Sequence, residues 1–157
     1  MFEACSHVSI PLARLTATVS ALTAAALLSA CVSLTGREGA TPPSLAALSH
    51  GVWVAENIDG RGVIDRLQSR IQFTSEGRVS GSGGCNNFTG GVELKGNELK
   101  FGPLASTRKL CAGAVQQQED AFFAALAKAR TVRTDKGLLF MSDAQGNPVL
   151  RLARATQ

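Results

Sequence analysis

The rhythm of apolar and polar positions changes three times along this chain, and each rhythm predicts a different kind of segment. Residues 15–28, LTATVSALTAAALL, carry no charge and follow Arg14. A bilayer-crossing helix needs about 20 apolar residues, so this run is too short to span and fits the apolar part of a secretory signal. From residue 51 apolar and polar positions begin to alternate. Residues 51–58 read as a first strand with Trp53 as a core anchor. A turn at 60–62 follows, then residues 69–74 (SRIQFT) alternate with one buried face. Residues 75–78 suit a hairpin loop that returns at 79–81. The pattern resumes at 92–94 and 98–101 around a turn at 95–97, and 102–111 reads as extended or irregular. The period then becomes helical from 113 to about 130. Val115, Phe122, Phe123, Leu126 and Ala129 share a broad face there. Glu119 and Asp120 lie toward its N-terminal half, and Lys128 and Arg130 fall at its end, both suited to the helix dipole. Strands are predicted again at 131–134, 138–141 and 149–152, with turns at 135–137 and 143–147. About eight short strands and one helix make an α+β domain. The sheet is mostly antiparallel, an open barrel or curved sheet, and the helix covers it.

The apolar run ends in Leu28-Ser29-Ala30-Cys31. This resembles the bacterial lipobox, in which a Leu and two small residues precede a Cys that is acylated after cleavage. The resemblance implies a lipid on Cys31 and stable anchoring through several acyl chains, at about 0.8 kcal/mol per buried methylene. Val32 follows, not Asp, which matches the outer-membrane default. Gly36, Gly39, Pro42 and Pro43 make the next stretch a flexible tether. The expected organisation is therefore a signal peptide at 1–30, a lipidated tether at 31–47, and a domain at 48–154 in the periplasm. The segment before Arg14 contains Glu3 and Pro11, which leaves open a translation start nearer Val8.

Composition sharpens this picture at the cysteines. Cys5 leaves with the signal and Cys31 takes the lipid, so Cys85 and Cys111 remain in an oxidising compartment, where a disulfide is the natural pairing. Two other uses compete: a zinc site completed by His50, or a Cys nucleophile with His50 as base. No cofactor is expected. Tyr is absent and Trp53 is the single Trp, which argues against a stacking surface for nucleic acid. The formal net charge is +4, and residues 101–157 hold eight bases against four acids. Those bases are scattered, as on a solvated face, rather than gathered for a headgroup or acidic partner.

The least ordinary stretch is Gly81-Ser-Gly-Gly-Cys-Asn-Asn-Phe-Thr-Gly-Gly91. No Lys-Ser/Thr follows it and the next element reads as a strand, which disfavours a phosphate loop. Asn86 and Asn87 both donate and accept hydrogen bonds, and a bridge from Cys85 to Cys111 would bring Thr107 and Arg108 beside them. The four are a candidate polar pocket for a small ligand or peptide backbone. Alternatively, the asparagines satisfy turn backbone groups.

These residues resemble the META/HslJ-like family. The resemblance rests on Trp53, on Gly84-Cys85-Asn86-Asn87-Phe88-Thr89-Gly90, and on the run from Glu98 through Phe101 and Thr107 to Cys111. Glu119-Asp-Ala-Phe122 with Leu126 and the final Gly137-Leu-Leu-Phe-Met141 complete it, over roughly residues 48–152. It implies a small α+β fold, frequent lipoprotein anchoring, and links to heat shock, drug tolerance or, in parasites, virulence. It supplies no catalytic residue set. The expectation is a non-enzymatic outer-membrane lipoprotein of the stress response. Two alternatives are a partner or inhibitor of an envelope enzyme or secretion machine, and a thiol enzyme using Cys85 or Cys111 with His50.

Overall fold

The protein is described by a computed structural model covering residues 42–155. The expected signal peptide, Cys31 and most of the tether lie outside these residues.

A short helix opens the described chain: α1, Leu45–Leu48, capped by the Ser44 hydroxyl, which accepts from Ala47 N–H. Leu45 packs against the core and Leu48 is fully buried, so packing begins just ahead of the expected domain start. Six strands follow: β1 Trp53–Ile58, β2 Arg61–Gly62, β3 Arg70–Phe73, β4 Arg78–Ser82, β5 Asn87–Lys95 and β6 Glu98–Ser106. Helix α2, Gly113–Lys128, separates them from β7 Thr131–Asp135, β8 Leu138–Ser142 and β9 Pro148–Arg154. The chain is thus α+β as expected, with nine strands and two helices among the described residues. β2 occupies the predicted 60–62 turn. Of the stretch expected to be extended or irregular, Gly102 to Ser106 is extended as part of β6, and a register shift in the β5–β6 ladder accommodates Pro103.

All strand pairs are antiparallel, and after β2 each strand pairs with its neighbour in sequence. β1 also pairs with β9, from Trp53↔Arg154 to Ile58↔Leu150, so the curved sheet curls into a ring. It is not a regular barrel, because β6 meets β7 at a single position, Glu98↔Thr131. Two backbone bonds reinforce that seam: Leu99 N–H to Arg130 C=O and Val132 N–H to Asn97 C=O, each 2.8 Å.

The inner face of the ring holds the core. Ile71, Phe73, Val79, Phe88, Val92 and Leu99 alternate with exposed neighbours, the period a strand with one wet face requires. Trp53 is buried, and its indole N–H donates to Leu48 C=O at 2.9 Å, which ties α1 to β1. Helix α2 contributes Phe122, Ala125 and Leu126 to the same core. Phe122, Phe123 and Phe88 form an aromatic cluster with centroids 5.5 to 6.2 Å apart. Val115, expected on the buried face, is only half-buried, whereas Gln118 and Glu119 are buried.

Candidate functional site

The Gly-rich loop is built around one carboxylate. Glu119 lies on the buried face of α2 and is 2% exposed. Its Oε2 accepts the backbone N–H groups of Cys85 at 3.0 Å and Asn86 at 2.5 Å. Its Oε1 accepts Asn86 Nδ2 at 2.7 Å. A β-carbon at Gly83 would come within 2.7 Å of Glu119 Cγ, so only glycine lets the loop close this tightly. Gly84 adopts φ +130°, a second demand for glycine. Burial pushes the Glu119 carboxyl up. The hydrogen bonds from the Asn86 side chain and from the Asn86 and Cys85 backbones outweigh it, and the group titrates below its ordinary value.

Asn86 carries the tie onward. Its Oδ1 accepts Thr107 Oγ1 at 2.8 Å and Lys109 N–H at 2.7 Å, and its Nδ2 also donates to Lys109 C=O at 3.2 Å. An amide has two donors and two lone pairs, so all four positions are filled and none is free for a ligand. Thr107 is engaged in the same knot, and its hydroxyl also accepts Asn87 N–H at 3.2 Å. The Asn87 and Arg108 side chains are exposed and make no hydrogen bond or ion pair among the described residues. Of the four candidate polar-pocket residues, the fold therefore brings two together as a structural knot and leaves two at the surface.

Cys85 and Cys111 are joined by a disulfide, with Cα atoms 6.4 Å apart. Neither thiol is free, which removes the nucleophile and the two ligands from the thiol-enzyme and zinc alternatives. His50 lies exposed after α1. Among the described residues no three His, Cys, Asp or Glu side chains gather as a metal site would require.

Gln118 performs for a second segment what Glu119 does for the loop. Its Oε1 accepts Ile64 N–H at 2.7 Å, and its Nε2 donates to Leu67 C=O at 3.2 Å and Ser69 Oγ at 3.0 Å. From the sequence alone Gln118 had no role, and Glu119 only a place suited to the helix dipole. A signal was present: Glu119 stands four after Val115 and three before Phe122, on the apolar stripe itself.

A broad concave feature lies elsewhere on the surface. After the β6–β7 contact, β6 faces α2 instead of a strand, and an open cleft of about 1190 Å³ lies between them. Phe101 and Leu104 line it from β6, and Phe123, Leu126, Ala127 and Arg130 line it from α2 and its end. The α2 residues stand at spacings of three and four, which is one helix face. Its rim is charged. Register sets Glu93 opposite Lys100 and Lys95 opposite Glu98. Arg130 Nη1 donates to the C=O groups of Ala127 at 2.8 Å and Ala129 at 2.7 Å, which caps the helix and holds the guanidinium at the cleft.

Comparison with known proteins fits this geometry. The heat shock protein HslJ of Escherichia coli (strain K12) is 38% identical over 96 residues, which are 60% of this chain and 65% of that protein. The match thus spans less than two thirds of its length. Two solved NMR structures share the fold. One is 26% identical with a TM-score of 0.58, covering 71% of this chain and 95% of the other. The second, from Burkholderia xenovorans, is 25% identical with a TM-score of 0.60, covering 74% and 89%. The profile of the META domain matches residues 46–156, the whole of the ring and α2, and the chain belongs to the META domain family.

Proposed function

We propose that this chain is an outer-membrane lipoprotein, anchored through Cys31, that serves heat-shock and envelope-stress tolerance by binding a partner in the cleft between β6 and α2, without catalysis. The observation that carries the reading is the cleft: a preformed concavity with apolar walls and a charged rim, in a domain whose buried carboxylate and paired cysteines are all engaged in holding the fold. The likeness to HslJ supports the link to heat shock. The Leu28-Ser29-Ala30-Cys31 sequence supports the anchor and envelope location.

A strain lacking the gene tests both halves. It is complemented with the wild-type chain, with Cys31→Ala, or with Ala127→Arg, which fills the cleft from an exposed helix position. Survival of heat shock and of novobiocin is scored, and clickable fatty-acid labelling reports the anchor. Wild type restores survival and takes the label, Cys31→Ala loses the label and the survival, and Ala127→Arg keeps the label but fails to restore survival. Full rescue by Ala127→Arg refutes the cleft; an unlabelled wild-type chain refutes the anchor.

A further inference from the structure

We infer that the cleft takes an extended polypeptide segment of a partner protein, added as a strand to the free edge of β6 and ending in or carrying a carboxylate that meets Arg130. The inference rests on the binding reading above and names the class of ligand. Its first support is the pair of unlike walls. One wall is the edge of β6 from Lys100 to Ser106, which pairs with β5 on one side and, among the described residues, with no strand on the other. The second is the α2 face of Phe123, Leu126, Ala127 and Arg130. A groove between a strand edge and a helix offers main-chain hydrogen bonds on one side and side-chain pockets on the other, which is what strand addition uses.

The backbone decides between a peptide and an acyl chain. Leu99 N–H, which reaches Arg130 C=O, shows which strand positions point away from β5. In an antiparallel ladder the next such position is Phe101. Beyond the register shift, Thr107 N–H bonds to Asn87 C=O, so Leu104 and Ser106 present the same outward edge. These N–H and C=O groups need partners if the cleft is filled and water leaves. A hydrocarbon supplies none, and another backbone supplies all. The seven residues from Lys100 to Ser106 span about 23 Å at strand rise. The volume, about 1190 Å³, exceeds the range usual for small-molecule pockets. Pro103 and the bulge beside it interrupt the edge, so it accepts a short strand and resists open-ended sheet growth.

Charge sets the chemistry of the occupant. Each rim acid already has a base directly across the β5–β6 ladder. Arg130 makes no ion pair with any carboxylate among the described residues, and its guanidinium donates there only to the carbonyls of Ala127 and Ala129. A carboxylate on the incoming strand complements it. Period two then places apolar side chains of the peptide against Phe101, Leu104 and Phe123, with polar ones facing out.

The test is selection from a displayed library of random ten-residue peptides with free C-termini, against the disulfide-bonded domain. Enriched peptides are resynthesised as acid and C-terminal amide and measured by fluorescence anisotropy. Amide hydrogen exchange is followed with and without them. Expected are alternating apolar sequences with a terminal or near-terminal carboxylate, and slowed exchange at Phe101, Leu104 and Ser106. Ala127→Arg weakens binding at least about tenfold, and Arg130→Gln weakens the acidic form by about fivefold or more while sparing a neutral amide form. Both positions are exposed, and unchanged thermal melts show that the variants fold. No enrichment over an unrelated domain, equal binding to Ala127→Arg, unchanged exchange along β6, or self-association through the cleft in sedimentation each overturns the inference. If selection fails while Ala127→Arg still abolishes rescue in cells, the peptide inference falls and the binding reading stands.

Discussion

At residue scale the molecule turns on Glu119. A carboxylate removed from water is tolerated only when its lone pairs are filled by good donors, and here three N–H groups from the Gly-rich loop do so. Replacing it by Gln keeps the shape but turns one acceptor into a donor, which must face either the Asn86 side-chain N–H or the backbone N–H groups of Cys85 and Asn86. Glu119→Gln is expected to lower unfolding free energy by about 2–4 kcal/mol in urea titration at pH 7. Its pH dependence follows from the depressed pKa. The unfolded chain binds this proton more readily than the folded one, so the stabilisation is complete above the ordinary value of 4.5 and is lost as pH falls through the lower folded value. Glu76, through the Ser75 hydroxyl, and Asp143, through the Asn147 side chain, also titrate low. The acid slope of the wild type is therefore composite, and its difference from Glu119→Gln isolates this one group. Equal slopes below pH 4.5 would show that Glu119 does not carry the tie. The glycines and Asn86 were legible as a special loop because their composition is unusual. Their centre was not, because Glu119 is an ordinary helix former whose partner lies 33 positions away.

At the scale of elements, α2 serves as a clasp whose apolar stripe is interrupted by two polar residues. Periodicity found the helix, and Phe122, Leu126 and Ala129 are buried as predicted. It overvalued Val115, because the first turn of α2 lies at the rim and the ring closes over the helix only from Gln118 onward. Phe122→Ala should therefore destabilise by about 3–5 kcal/mol, and Val115→Ala by less than about 1 kcal/mol, in chemical denaturation. Comparable losses would mean that the first turn is as deeply packed as the middle. The connection from β6 to α2 is a second element-scale device. It is tied at Thr107 and Lys109 by Asn86, and at Cys111 by the disulfide. Loop entropy for a separation of 26 residues makes the bridge worth about 3.5 kcal/mol, acting mainly on the unfolded chain. Cys85→Ser with Cys111→Ser should show that loss in a thermal melt. The Asn86 side-chain amide should remain hydrogen-bonded by NMR, because the native contacts of the knot do not pass through sulfur. The Cys pair was legible by elimination. The extended course of 102–106 was among the alternatives read, but the bulge beside Pro103 was not, because a bulge depends on the partner strand as much as on the strand's own residues.

For the molecule as a whole, the ring is thinnest at the β6–β7 seam, and next at β1–β3, which pair at two positions. β9 joins β1 over five paired positions and β5 joins β6 over seven, whereas β6 and β7 share one pair and two backbone bonds. Local opening free energies follow the contacts that must break, so this seam should open well below the global unfolding free energy. The cleft lies directly beside it. Separating β6 from β7 would lengthen the free edge of β6 toward Glu98 and widen the space against Leu126 and Arg130, with β1–β9 still holding the ring together. Native-state hydrogen exchange tests this directly. The Leu99 and Val132 amides, whose bonds cross the seam, should exchange through a low-energy, denaturant-insensitive opening. The Leu150 and Leu152 amides, inside β9 and flanked by strands on both sides, should exchange only with global unfolding. Uniform protection across all four would mean that the ring opens as one unit, and that any occupant must enter a cleft of fixed width.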